Sequence, residues 1–105
     1  MRYSRLQMIK SFRSRALRRF WTKSDASGLR HDWVRKVERQ LTLLDSVTKP
    51  EDMDVVTFGF HRLTADQTGC FAVTVSRNWR LTFAFEGENA VLVDGLQHVV
   101  GQVEQ

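Results

Sequence analysis

The chain has 105 residues and a net charge of +4, and 42% of its residues are hydrophobic. This length fits one domain with a modest core, so residues 1–105 are predicted to form a single domain with residues 1–7 as an N-terminal extension. No apolar run approaches the ~18 residues that span a bilayer, and the basic N-terminus lacks the apolar core of a signal peptide. The single cysteine, Cys70, cannot form an internal disulfide. The composition therefore predicts a cytoplasmic protein with no membrane partner.

Charge is distributed unevenly along the chain. Residues 1–49 carry thirteen Lys and Arg against four Asp and Glu, whereas residues 50–105 carry three against eight. A basic half of this strength indicates a polyanion or an acidic protein as partner. The alternative is an ordinary solvated helical surface.

Two helices are predicted in the basic half, after a weakly alternating segment at residues 8–12 that indicates a short strand. Leu17, Phe20 and Trp21 have the i, i+3, i+4 spacing of a helix over residues 15–22. Gly28 suits the end of that helix. The strongest helical pattern covers residues 31–47, and Asp32 is its expected N-cap.

The second predicted helix has one apolar stripe and one basic side. Its stripe consists of Val34, Val37, Leu41 and Leu44. The basic side chains that point away from this stripe are Arg35, Lys36 and Arg39, which are the predicted contacts to a polyanionic partner together with Arg62.

The acidic half changes to a period of two, which is typical of strands. Four strands are predicted near residues 56–63, 70–77, 79–86 and 90–97, after a loop at 49–54 that contains Pro50. The predicted fold is α+β, with two N-terminal helices packed on one face of a small, mainly antiparallel sheet. The other face of such a sheet can stay open to a ligand.

The chemistry-bearing residues are few. No Gly-rich phosphate loop, CxxC pair or His pair at metal-ligand spacing occurs, so neither a metal nor another cofactor is expected. Neighbouring strands could bring His61, Arg80 and His98 together. Two imidazoles and a guanidinium suit phosphodiester cleavage without metal, because one imidazole takes a proton, the other returns one, and the arginine stabilises the phosphate charge. Each of these side chains also has a structural alternative: a hydrogen-bonded histidine, or an Arg80 salt bridge to Asp94 or Glu86.

Several segments resemble the HigB toxins, in the RelE superfamily of type II toxin–antitoxin systems. They are "MIKSF", the "SG" after the first helix, and "FGFHRLTADQTGCFAVTVSRNWRLTFAFEGENAVLVDGLQHV", so the likeness extends from residue 8 to residue 99. The resemblance implies two helices on a small antiparallel sheet. It also implies a ribosome-dependent endoribonuclease that cuts mRNA. A HigA antitoxin with a helix-turn-helix domain would neutralise it and link it to operator DNA.

The resemblance places His61 and Arg80 on the family's active-site histidine and arginine. Asp66 and Gly69 match a further family segment, which here reads "TADQTG" and lacks two basic residues. In a match without gaps, the terminal "EDYH" of the family falls on residues 96–99, where Gln97 cannot ionise and His98 takes the place of the tyrosine. A slip of one residue would instead place His98 on the terminal histidine. Two functions follow: an active mRNA interferase that uses His61, His98 and Arg80, or a weakened toxin that acts mainly as antitoxin partner in an operator-bound complex. A stand-alone RNA-binding module is a third possibility.

The aromatic residues allow both structural and functional interpretations. If Arg80 faces a ligand, Trp79 points to the opposite face and packs on the helices. The helical spacing of Trp21 favours the core, whereas Trp33 lies beside the basic side chains and suits base stacking as well as packing. His31 is expected at the surface, and Cys70 inside a strand.

Overall fold

Two helices precede a four-stranded sheet in the computed structural model, which describes residues 9–63 and 69–97. The elements are α1 (Arg15–Lys23), α2 (Val34–Leu44), β1 (His61–Arg62), β2 (Cys70–Ser76), β3 (Trp79–Glu86) and β4 (Asn89–Gln97). Short 3-10 turns cover His31–Trp33 and Pro50–Met53. The strands lie in the order β1-β2-β3-β4, and each neighbouring pair is antiparallel. The predicted α+β class is confirmed.

α1 begins where a serine caps it. The hydroxyl of Ser14 accepts a hydrogen bond from the backbone N–H of Leu17 at 3.1 Å, which satisfies one of the free donors of the first turn. Leu17 and Trp21 are buried, so the helix turns one side toward the core, and the prediction that Trp21 is a core residue is confirmed.

α1 ends earlier than Gly28. Ser24 takes the left-handed conformation with φ 57° and donates its N–H to the carbonyl of Phe20. The prediction that Gly28 ends the helix is therefore wrong. A Cβ at Gly28 would lie 2.7 Å from the Cβ of Ala16, so this glycine permits a close approach of the following loop to α1.

α2 buries its predicted stripe but starts later than expected. Val37, Leu41 and Leu44 are fully buried, which confirms most of the stripe. The prediction of Asp32 as N-cap is wrong, because a 3-10 turn occupies residues 31–33 and the α-helix starts at Val34. The carboxylate of Asp32 instead accepts two hydrogen bonds from the side chain of Arg30.

The first predicted strand, residues 56–63, is wrong in its extent. Only His61 and Arg62 pair in the sheet. Gly59 has φ 60°, which breaks an extended path, and Phe58 before it turns into the core with 4% of its surface exposed. Burial of Phe58 therefore outweighs continuation of the ladder, and β2 closes against this turn through the N–H of Thr74, which donates to the carbonyl of Phe58 at 2.6 Å.

The segment before α1 runs parallel to β4 but forms isolated bridges instead of a strand. Ile9 pairs with Ala90 and Phe12 with Val93, so the predicted short strand is confirmed only as these two contacts. Met8, with which the prediction began, lies outside the described residues.

The core lies between the helices and one face of the sheet. The side chains of Val73, Leu81, Phe83 and Val93 are at most 1% exposed and contact the buried sides of α1 and α2. Full burial of one such side chain contributes about 1.5–3 kcal/mol, so this face supplies much of the stability. Within the described ranges, no helix has the length and apolar character that a membrane crossing needs.

Candidate active site

A single row of residues crosses the sheet on the face away from the helices. His61 is the partner of Ala72, Ala72 of Thr82, and Thr82 of Asp94. Directly paired residues have their side chains on the same face, so these four side chains form one line across four strands. We call this side of the sheet, with Arg80, the polar face. In the middle of the polar face, Ala72 is fully buried and Thr82 is 9% exposed, so the central two positions of the row have small side chains.

Arg80 belongs to the same face. It precedes Thr82 by two residues on β3 and pairs with Thr74 and Leu96 on the neighbouring strands. The residue is half-buried. Among residues 9–63 and 69–97 the ion pairs join Arg19 to Asp25, Arg30 to Asp32 and Arg62 to Glu51, and none includes Arg80.

The structural alternative for Arg80, a salt bridge to Asp94 or Glu86, is therefore wrong. The Oδ1 atom of Asp94 accepts a hydrogen bond from the N–H of Gly95 at 2.8 Å. With its charge not neutralised inside the described part of the chain, the guanidinium of Arg80 is available to an anion. A planar guanidinium can bind two phosphate oxygens at once.

The sheet brings His61 and Arg80 to one face without direct contact. They lie two strand spacings apart across the sheet, about 10 Å, and two residues apart along it, about 7 Å. His61 is exposed, and Arg80 is half-buried. His98, the third predicted catalytic residue, lies outside the described residues, as does Asp66.

Arg62 is on the other side of β1 from His61. Its Nη2 atom lies 2.9 Å from Oε2 of Glu51, and its guanidinium lies 5.5 Å from the ring centre of Phe71. The pKa of Glu51 is lowered by the hydrogen bond from its own backbone amide and by the bond from Arg62. The structure thus gives Arg62 a local partner and does not bring it to the polar face.

The basic side chains predicted on α2 are also away from the polar face. Arg35 and Arg39 are exposed, whereas Lys36 is half-buried and its ammonium donates to the carbonyl of Thr57 at 3.0 Å. These cations belong to the helical layer. A contact to RNA from them would be separate from the row that carries His61.

Trp79 packs on the helical side, as predicted for a residue adjacent to Arg80. Its ring stacks on that of Trp33 with centres 4.5 Å apart and planes 11° apart. The ring also covers Gly95, where a Cβ would overlap it. The absence of a side chain at Gly95 therefore lets Trp79 lie flat across β3 and β4, directly behind Arg80.

Thr82 and Gln40 escaped the sequence analysis, and Asp94 was named there only as a salt-bridge partner of Arg80. Thr82 and Asp94 complete the row on the polar face, and alternation along β3 and β4 was the signal that could have found them. Gln40 is fully buried, and its Nε2 atom donates to the carbonyl of Thr74 at 2.9 Å. Since Thr74 is the partner of Arg80, this bond ties α2 to the strand beside the arginine. The sequence signal for Gln40 was a polar residue beside the apolar stripe of α2.

Other sequence expectations concern residues at the edges of the site. His31 is exposed, as predicted, and Cys70 is a half-buried residue at the start of β2. Within the part of the chain that the structure describes, no group of three or more His, Cys, Asp or Glu could hold a metal ion.

Comparison with known proteins adds an independent observation. A family model described as "RelE-like toxin of type II toxin-antitoxin system HigB" matches residues 10–98. The chain is also 30% identical over 87 residues to the Endoribonuclease HigB of Proteus vulgaris, an alignment that covers 83% of this chain and 95% of that protein. The match to the family model includes β1 to β4 and therefore the whole described row on the polar face.

Proposed function

Because the chain belongs to the family of HigB-like toxins of type II toxin–antitoxin systems, we propose that it is an endoribonuclease that cuts translated mRNA on the ribosome. A HigA-type antitoxin with a helix-turn-helix domain is the proposed partner that neutralises it and carries it to operator DNA. The observation that supports this function most directly is the shared face of His61 and Arg80, across which a phosphodiester can lie.

The proposed reaction is transfer of a phosphoryl group within RNA. The imidazole of His61 takes the proton of a ribose 2′-hydroxyl, and the 2′-oxygen then attacks the adjacent phosphorus. The bond from phosphorus to the 5′-oxygen breaks, and that oxygen needs a proton from an acid. His98 is the proposed acid, because histidine is the side chain that most readily exchanges a proton near neutral pH.

Arg80 is the proposed electrostatic element of the reaction. Negative charge grows on the phosphate oxygens as the 2′-oxygen attacks, and a fixed guanidinium stabilises it without rearrangement. The half-buried position of Arg80 strengthens this effect, since less water screens the charge. Gln40, through its bond to Thr74, supports the strand that holds Arg80 in place.

Ribosome binding is proposed for the basic helical layer. Arg35 and Arg39 are exposed on α2 and would contact ribosomal RNA through phosphates, while the polar face holds the mRNA. Positioning by the ribosome can supply several kcal/mol of barrier reduction, which suits a site with few proton-transfer groups. The salt bridge of Arg62 to Glu51 makes it a weaker candidate for RNA contact than these two.

The experiment is induction of the chain alone in a bacterial host, with growth and mRNA ends measured in parallel. Wild type should arrest growth and cut a translated reporter, and an untranslated version of the same transcript should stay intact. His61→Ala should lose cleavage by about 10²–10⁴-fold, the usual contribution of one proton-transfer group. Arg19→Lys, on α1 and far in sequence from the polar face, is the matched control and should behave as wild type.

Other results would point to a different function. Equal growth arrest by wild type and His61→Ala would contradict the proposed role of His61 in RNA cleavage. No arrest by wild type, together with stable binding of a HigA-type antitoxin, would instead identify a weakened toxin that serves as antitoxin partner.

A further inference from the structure

A second binding feature lies at the turn between β2 and β3, on the helical side of the sheet. We call it the hairpin cleft. It has a volume of about 390 Å³ and is lined by Arg30, Asp32, Trp33, Ser76, Arg77 and Trp79, among others. This volume falls at the lower end of the range for small-molecule sites, so it suits one nucleotide better than a folded partner.

One wall of the cleft is a stacking surface. The Cζ atom of Arg30 lies 5.4 Å from the centre of the Trp33 ring, which in turn stacks on Trp79. The guanidinium of Arg30 is held in orientation by two hydrogen bonds to the Asp32 carboxylate, each 3.2 Å long. A guanidinium plane over an aromatic ring is a surface on which an unpaired base stacks.

The cations of the cleft have different tasks. The charge of Arg30 is offset by the carboxylate of Asp32, whose pKa is lowered mainly by the hydrogen bonds from Arg30. Arg77 is exposed in the turn, and in the described ranges it makes no ion pair. Arg30 therefore offers a flat surface, and Arg77 offers an uncompensated charge.

The cleft is close to the polar face in the chain. Trp79 lines the cleft, and the next residue, Arg80, projects from the opposite face of β3. The turn at residues 77–78 is the rim between them. A single strand whose phosphate lies on Arg80 can reach the cleft by passing around this rim.

We propose that the hairpin cleft binds one unpaired nucleotide of RNA next to the phosphate held by Arg80, with its base on the outer side of the Arg30 guanidinium and its phosphate on Arg77. This subsite rests on the proposed ribonuclease function and extends it, because it adds a contact that reads an unpaired base outside the reacting bond. Double-stranded RNA does not fit, since its bases are stacked on one another.

The test measures binding of a short single-stranded RNA oligonucleotide by fluorescence anisotropy and by quenching of tryptophan emission. His61→Ala is used as the parent, so that the RNA stays intact. Arg30→Ala should weaken binding about tenfold, the usual effect of losing one base-stacking contact. Arg30→Lys should weaken it almost as much, because it keeps the charge but loses the flat surface. Arg19→Ala, which removes another exposed and paired arginine, is the matched control.

Salt dependence separates the two cations. Arg77→Ala should reduce the slope of log affinity against log salt by about 0.7, the value for one phosphate contact to a single strand. Arg30→Lys should leave that slope unchanged. Thermal unfolding of each variant checks the fold, which should be retained because both side chains are exposed.

The proposal is overturned if Arg30→Ala and Arg30→Lys bind the oligonucleotide like the Arg19→Ala control. It is also overturned if an acidic peptide quenches the tryptophan emission and RNA does not, since the cleft would then dock protein. The proposed function fails separately. If wild type leaves translated mRNA intact while the Arg30 variants still lose RNA binding, the nucleotide subsite is supported and the ribonuclease function is not. If wild type cuts mRNA and these variants bind RNA normally, the ribonuclease function is supported and the nucleotide subsite is not.

Discussion

The two faces of the sheet are built from alternate residues of the same strands, yet their chemistry is opposite. On β3, Leu81 and Phe83 face the helices and are at most 1% exposed, whereas Arg80 and Thr82 face away from them. On this strand, one face carries large apolar side chains and the other carries small or charged ones. The difference teaches that stability and chemistry are separated here by the strand period alone, so neighbouring residues should give different mutant phenotypes.

The largest expected effect comes from the helical side. Phe83→Ala removes a fully buried ring and should lower the free energy of unfolding by about 3–5 kcal/mol. Urea unfolding of the purified variant measures this loss. Phe85→Ala, on the same side of β3 but half-buried, is the control and should cost clearly less. Equal losses at the two positions would contradict the burial argument.

A smaller effect in free energy, and one of another kind, is expected one step away on the polar face. Arg80→Lys keeps the charge but loses the paired donors of the guanidinium, so mRNA cleavage should fall by about 10²-fold. The free energy of unfolding should change by less than about 1 kcal/mol, since no ion pair of the described residues is lost. Cleavage on translating ribosomes and urea unfolding are measured on the same preparation. If stability and cleavage fell together, Arg80 would belong to the structural side of the comparison.

The smallest effect is expected for the ion pair of Arg62 with Glu51, beside β1. In β1, His61 lies on the polar face and Arg62 on the opposite face. The pKa of Glu51 is lowered by its own backbone amide and by Arg62, so the ionised carboxylate favours the folded state. This contribution is present above the ordinary pKa of 4.5 and is lost as the pH falls through the lowered value. Glu51→Gln should therefore be slightly less stable than wild type at pH 7 and equally stable once the carboxyl is protonated.

Urea unfolding of both proteins across that acidic range measures the convergence. The pair is exposed, so screening by water keeps the difference small. A difference that stayed constant with pH would show that the side chain of Glu51 acts through packing and not through its charge. Unchanged mRNA cleavage by Glu51→Gln is expected, because His61 points to the other face.

Much of the fold was predictable because local patterns and final packing agree. The apolar stripe of α2 and the alternation of β2 to β4 gave those elements nearly in full, since each pattern matches the side that the element buries. The predictions failed where tertiary contacts of a side chain outweighed the local sequence pattern. Phe58 is buried in the core and not paired in the strand that the alternation predicted. A 3-10 turn covers residues 31–33, so Asp32 does not cap α2.

The site was predictable in its residues but less so in its arrangement. His61 and Arg80 were chosen from the sequence, and the structure brings them to one face. Arg62 was chosen beside His61, but an acidic partner from the turn after α2 holds it on the other side. Thr82 and Gln40 were missed, and Asp94 was considered only as a partner of Arg80, because the importance of all three comes from neighbours on other elements and not from any local motif.

The sequence by itself determined the α+β class, the inward sides of the helices, and the separation of a basic half from an acidic half. These features depend on local periodicity and composition, which need no knowledge of distant contacts. Only the tertiary structure decided that His61, Ala72, Thr82 and Asp94 form one row with Arg80 beside it. The physical reason is strand register: a slip of one residue between two strands would turn every side chain of one of them to the opposite face, and packing of the whole core selects the register.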